Sequence, residues 1–209
     1  MLHLSGVQKK YSQRVILDIP DLKIDGGIHW LKGSNGSGKS TFLKMISGII
    51  PFEGTIELDN TNLKKNGVAY RRLVSYAEAE PLYPDFLTGE DLIRFYNSVR
   101  KSDPKYSNAL IEKFGISGYY KNPIGTYSSG MAKKLSLVLA FIGKTKFILL
   151  DEPFVTLDVA TVQVLIDTIK EFYQQERNFI FTSHQSPEMN ALPLSSEMIA
   201  QNDTVCFQQ

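Results

Sequence analysis

The chain has 209 residues, 43% of them hydrophobic and 22% charged, the composition of a globular protein with an ordinary core. Its 23 basic and 22 acidic residues leave a net charge of +1, without the basic excess of a protein that binds nucleic acid by neutralising phosphates. A single cysteine, Cys206, excludes a disulfide framework within the chain and fits a reducing cytosol.

The N-terminal stretch MLHLSGVQKKYSQ holds no apolar segment of secretory type. LHLSGV, RVILDIPDLKID and IHWL predict strands, the last running into the glycine-rich KGSNGSGKST. STFLKMISGI then predicts a helix with Phe42, Leu43, Ile46 and Ile49 on one face, closed by Gly48 and Pro51. GTIELD and RLVSYAEA are further strand candidates. From about Pro81 the pattern turns helical. TGEDLIRFYNSV carries Thr88 and, three residues on, Asp91, an acidic form of the capping box. DPKYSNALIEKFGI offers Asp103 as N-cap and Pro104 at the first helical position, and SSGMAKKLSLVLAFIG is a third helix.

KFILLDEP is a continuous apolar strand of the kind buried on both faces of a parallel sheet. A helix over 159–176, a strand NFIFTSH and a final strand TVCFQQ complete an alternating β/α pattern. The most membrane-like stretch, LSLVLAFIGKTKFILL, is interrupted by Lys144 and Lys146 and reads as helix then strand. The expected organisation is one α/β domain over 1–209, with β-rich parts at 1–80 and 146–209 around a helical insert at 81–145.

Gly33, Gly38, Lys39 and Ser40 satisfy G-x-x-x-x-G-K-[ST] between a predicted strand and a predicted helix. The glycines let the backbone approach phosphate oxygens, and successive N–H groups of Ser34, Asn35, Gly36 and Ser37, with the helix start at Lys39–Thr41, make an anion site. Lys39 would reach the β- and γ-phosphates, and the Ser40 hydroxyl would face Mg²⁺. The strand FILLDEP supplies the second half: Asp151 as the metal-side carboxylate and Glu152 as a base that polarises an attacking water. Ahead of that strand, Ser128, Ser129 and Gly130 open a helix. They form either a second anion-accepting N-terminus or a plain serine cap.

Taken in order, GSNGSGKST, a helical insert, YSSGM, FILLDEP, VTLD and FTSH resemble the nucleotide-binding domain of ATP-binding cassette (ABC) proteins, from near residue 2 to near residue 205. The resemblance implies a P-loop ATPase with a mixed-sheet core, an N-terminal antiparallel β-subdomain and an inserted helical subdomain. It implies that YSSGM is the signature segment, which binds the γ-phosphate of ATP held by a facing subunit. Ser128 and Gly130 keep the essential serine and glycine, while Tyr127, Ser129 and Met131 depart from the commonest form. Tyr11 matches the aromatic residue that stacks on adenine, an interaction worth on the order of 1 kcal/mol. Leu157 and Asp158 match the loop that couples the two sites of a dimer, and His184 the switch histidine that contacts the γ-phosphate. His3 and His29 read as structural.

One departure concerns metal contact. The family usually has a glutamine after the strand RLVSYA, and here the sequence reads YAEAEPLYPD. Alignment from Tyr76 puts the position at Ala79 and alignment back from LYP puts it at Glu78; Glu78 is the preferred ligand, since a carboxylate suits a hard cation, with Glu80 also open. The function that the resemblance implies is an ATP-hydrolysing subunit that uses ATP and Mg²⁺. It would dimerise with itself or a paired cassette around two nucleotides and drive a separate transmembrane permease from the cytoplasmic face, as an exporter. The alternative is a soluble cassette ATPase acting on ribosomes or nucleic acid, which the charge balance disfavours.

Overall fold

The computed structural model describes residues 1–183 and 190–208. Strands β1 (Leu2–Tyr11) and β2 (Arg14–Ile24) form a hairpin, and β3 (Ile28–Lys32) leads into the glycine loop and helix α1 (Lys39–Ile46). β4 (Glu53–Leu58), β5 (Thr61–Asn62), α2 (Gly67–Leu73) and β6 (Val74–Ala77) follow. Helices α3 (Gly89–Arg100), α4 (Pro104–Lys113) and α5 (Ser129–Phe141) then precede β7 (Phe147–Asp151). The chain closes with α6 (Val159–Gln174), β8 (Asn178–Thr182), β9 (Ser196–Gln201) and β10 (Thr204–Phe207).

The described residues form two sheets. The first is antiparallel, ordered β2-β1-β4-β5; the second has the order β10-β9-β3-β8-β7-β6. In the second, β9, β3, β8, β7 and β6 run parallel and β10 closes the edge antiparallel. Period-two alternation explains why its central strands are apolar throughout. Ile28 and Trp30 of β3, Ile148 and Leu150 of β7, and Phe179 and Phe181 of β8 point to one core, shared with α4, α5 and α6. Leu31, Phe147, Leu149 and Ile180 point the other way, to a core built with α1 and the antiparallel sheet.

Local signals set most helix starts. Thr88 Oγ1 accepts from the Asp91 N–H at 3.1 Å and Asp91 Oδ2 from the Thr88 N–H at 3.0 Å, which completes the capping box of α3. Asp103 caps α4 through the Lys105 N–H, with Pro104 in its first turn. Asp158 caps α6 through the Thr161 N–H.

Three expectations change. Helix α1 ends at Ile46, and Ile49 lies beyond Gly48 (φ 73°), 54% exposed and off the apolar face. Gly48 reverses the chain one turn earlier than the apolar spacing implied. Arg72 and Leu73 of the predicted strand RLVSYAEA belong to α2; only Val74–Ala77 is extended, where it pairs with β7. β9, whose SEMIAQ carries little β-branched character, is a strand because it lies beside β3.

Candidate functional site

The parallel strands deliver their carboxyl ends to one edge of the sheet, where α/β folds bind ligands. β3 opens there into the loop 33–38. Gly38 is the left-handed N-cap of α1 (φ 97°), and a Cβ on Gly33 would meet Ser37 Oγ at 2.5 Å and the Ala200 carbonyl at 2.7 Å. Lys39 turns back over the loop and donates to the carbonyls of Gly33 at 2.8 Å and Ser34 at 3.1 Å.

A cavity of about 350 Å³ is lined by Tyr11, Ile16, the run Asn35–Thr41 and Glu152. It therefore joins the aromatic residue, the phosphate loop and the acidic strand end, which are remote in sequence. The Tyr11 ring is half exposed and packs against Lys9 Nζ at 4.5 Å from its centroid. Gly33 and Ser34 instead line a cleft on the far side of the loop with residues 199–203, and share Asn35–Ser37 with it.

β7 and β8 place Asp151 opposite Thr182. Asp151 is buried. Its Oδ1 accepts from Thr182 Oγ1 at 2.6 Å and its Oδ2 from the Tyr76 hydroxyl at 3.1 Å. Burial, together with the charges of Asp151 and Glu78, pushes the Tyr76 phenol well above its ordinary range, so it stays a donor. Thr182 Oγ1 also accepts from the Glu152 N–H at 2.9 Å, supporting a left-handed backbone (φ 45°) that aims Glu152 at the cavity.

The proposed donors suit Mg²⁺ in chemistry: the hydroxyl of Ser40 and the carboxylates of Asp151 and Glu78 are all hard oxygens. Each Asp151 oxygen keeps a lone pair beyond its protein hydrogen bond. Among the described residues no group of three or more His, Cys, Asp and Glu is placed to hold a metal ion. Glu78 follows the end of β6. The contact defined there is through its backbone carbonyl, which accepts from Lys133 Nζ at 2.8 Å.

Ser128, Ser129 and Gly130 do not line the phosphate cavity. Ser128 is the N-cap of α5, its Oγ accepting the Met131 N–H at 3.2 Å, and both serines are exposed. The plain cap reading of Ser128 thus holds locally while the helix start still faces outward. A Cβ on Gly130 would stand 3.0 Å from the Thr156 carbonyl, so this position packs against the turn leading to Asp158. Asp158 pairs with Lys134 of the same helix at 2.8 Å, and Lys134 and Thr161 hold its carboxyl well below the usual carboxylate range. His184 lies outside the described residues.

Three contributors, the half-buried Tyr76 and the buried Thr182 and Lys133, are not legible as site residues. Thr182 sits at the end of a strand already identified, and the register opposite Asp151 is what gives it a role. Burial pushes the Lys133 ammonium down to about 8, against the raising influence of Asp151, Glu152, Glu78 and Glu80. No helix among the described residues is long and apolar enough to cross a membrane.

Residues 20–155 match the family described as ABC transporter. The chain is 28% identical over 194 residues to the lantibiotic transport ATP-binding protein SrtF of Streptococcus pyogenes, covering 92% of this chain and 83% of that protein. It is 31% identical over 199 residues to the ABC transporter ATP-binding protein YtrB of Bacillus subtilis, covering 92% and 66%. The fold matches a solved ATP-binding subunit of an ABC transporter with a TM-score of 0.90 at 23% identity, over 100% of this chain and 90% of that one.

Proposed function

The chain belongs to the ABC transporter family and is its ATP-binding ATPase subunit, and from that premise we propose that two copies, or this chain and a paired cassette, close around two ATP molecules to drive a separate membrane permease. The observation that carries this reading is the division of the site. The phosphate cavity holds Tyr11, Lys39, Ser40 and Glu152, while the exposed helix start at Ser128–Gly130 lies outside it. A facing copy would bring its Ser128, Ser129 and Gly130 to the γ-phosphate, with Asp158 beside them.

In this scheme Tyr11 stacks on the base and the N–H groups of the loop hold the phosphates. Lys39 leaves the carbonyls of Gly33 and Ser34 for phosphate oxygens. Mg²⁺, when bound, would neutralise charge on the β- and γ-phosphates, held by Ser40 and Asp151 with Glu78 nearby. Glu152 accepts a proton from the attacking water and His184 orients it. Release of the γ-phosphate removes the contacts that bridge the copies, and the dimer opens. The work is mostly positioning and electrostatics, as in phosphoryl transfer generally.

A groove of about 260 Å³ between α3, α2 and the end of α1 supports the permease partner. Ile49, Phe95 and Val99 line it and are exposed, with Arg71 and Arg100 at its polar border. Exposed apolar side chains grouped in a groove mark a protein contact. The relatives' names as lantibiotic transport and export proteins support an exporter.

The test is Glu152→Gln. With ATP and Mg²⁺ it should run on light scattering at twice the 23.5 kDa of the chain, and hydrolyse ATP at least about a hundredfold more slowly than the parent. A variant that stays monomeric at saturating nucleotide contradicts the sandwich. For the permease, Phe95→Glu should abolish co-purification with a multi-spanning protein from detergent-solubilised membranes; unchanged recovery contradicts docking at this groove.

A further inference from the structure

We propose that Lys133 is a positioning residue of the ATPase site, clamping the loop after β6 to the carboxyl end of β7 and tying both to helix α5. Its side chain is 1% exposed, and its ammonium lies 2.8 Å from the Glu78 carbonyl, 3.1 Å from the Ala79 carbonyl and 2.9 Å from the Asp151 carbonyl. An ammonium has three donors, and all three are used. None of these bonds goes to a carboxylate, so the lysine is not half of an ion pair. It serves three backbone acceptors on two segments, the loop after β6 and the end of β7.

The strand register explains why such a clamp is needed. β6 and β7 are parallel neighbours whose last ladder pair is Ala77 with Leu150. Continued by one residue, the register would set Glu78 beside Asp151, but there the strands part to open the site. Lys133 bridges the carbonyls of those two residues at the point where the ladder stops. The candidate metal-side groups on the two strands are thereby held at a fixed separation. Lys133 is also four residues, about one turn, into the helix from Ser129, so the clamp is attached rigidly to the helix start that would serve the facing copy. A shift of that helix therefore moves the strand ends of the chain's own site.

The inference rests on the metal-side assignment of Asp151 and Glu78 but not on the dimer. In the nucleotide-free full chain, Lys133→Met should raise hydrogen exchange of the amides of Glu78, Ala79, Glu80 and Glu152 by about tenfold or more. Protection in β8 and α6 should be unchanged. The same variant should lower kcat about tenfold and raise the Mg²⁺ concentration for half-maximal turnover, with the Kd for a fluorescent ATP analogue within about twofold of the parent, because Lys133 does not line the phosphate cavity. Lys133→Arg keeps donors at this point and should restore both protection and turnover to within about threefold; this variant carries the test if the methionine variant does not fold.

Unchanged exchange, kcat and Mg²⁺ dependence in folded Lys133→Met overturns the proposal. So does loss of analogue binding together with folding cooperativity in Lys133→Met and Lys133→Arg alike, which makes the residue a packing element only. Asp151→Asn, measured alongside, separates the failures. Parental turnover there would show that the metal-side assignment itself is wrong, whatever Lys133→Met does.

Discussion

At the scale of single residues, chemistry with a fixed local spacing was readable and chemistry made by long-range approach was not. The phosphate loop depends on glycines and N–H groups within six positions, so its residue types declare it; the structure puts Asn35–Thr41 around one cavity with Tyr11 and Glu152. Tyr76 and Thr182, by contrast, are an ordinary strand tyrosine and threonine until the β6-β7-β8 register sets them on either oxygen of Asp151. Glu78 was chosen for its carboxylate, whereas its defined contact is the backbone carbonyl to Lys133. His29, read as structural, is buried, with Nδ1 2.8 Å from Ser196 Oγ and Nε2 3.1 Å from the Asp25 carbonyl.

Burial holds the His29 imidazole below its ordinary pKa, against a smaller raising effect of Asp25. The folded chain thus binds fewer protons at this site than the unfolded chain, whose histidine titrates near 6.5. The stability contributed by the neutral ring is present above that pKa and is lost as the pH falls through it. Melting temperature should therefore decrease from pH 7 to pH 5, and His29→Gln, which does not titrate, should flatten the decrease. An equal slope in parent and variant would remove His29 as the cause.

At the scale of elements, α3 and α4 are legible because each begins on a side-chain cap. Thr88 with Asp91, and Asp103 with Pro104, each satisfy otherwise orphan N–H groups by side chains close in sequence. α2 has neither such a cap nor a long apolar stripe: Asn66 makes no side-chain cap bond and Tyr70 is its only buried residue. It forms because the chain must turn from β5 to β6, which sequence periodicity does not report. β9 was missed for the same reason, since its place beside β3 is set by tertiary pairing. The caps can be tested directly. Thr88→Ala removes the acceptor for the Asp91 N–H, leaving only the backbone bond of residue 88 to Asp91, and should cost about 1 kcal/mol. In a chain of this size that lowers the melting temperature by about 2–4 °C. A shift below 1 °C would mean that packing, not the cap, fixes the start of α3.

At the scale of the whole molecule, a sheet apolar on both faces holds two cores, and its carboxyl edge gathers residues from β1, the loop after β3, α1, β6, β7 and β8 into one site. The alternating β/α pattern and the unbroken apolar strand KFILLDEP foretold that layered arrangement. What no single chain spells out is the counterpart for the exposed start of α5, which we propose lies on another molecule. The central claim is that this counterpart is the phosphate loop of a facing cassette. The most direct measurement replaces the exposed Cys206 by serine and introduces Asn35→Cys and Ser129→Cys in one Glu152→Gln chain, treated with a short bismaleimide. With ATP and Mg²⁺, a covalent species of twice 23.5 kDa should form, and should vanish when nucleotide is omitted. Monomer alone under saturating nucleotide, or a dimer indifferent to it, would contradict the composite site.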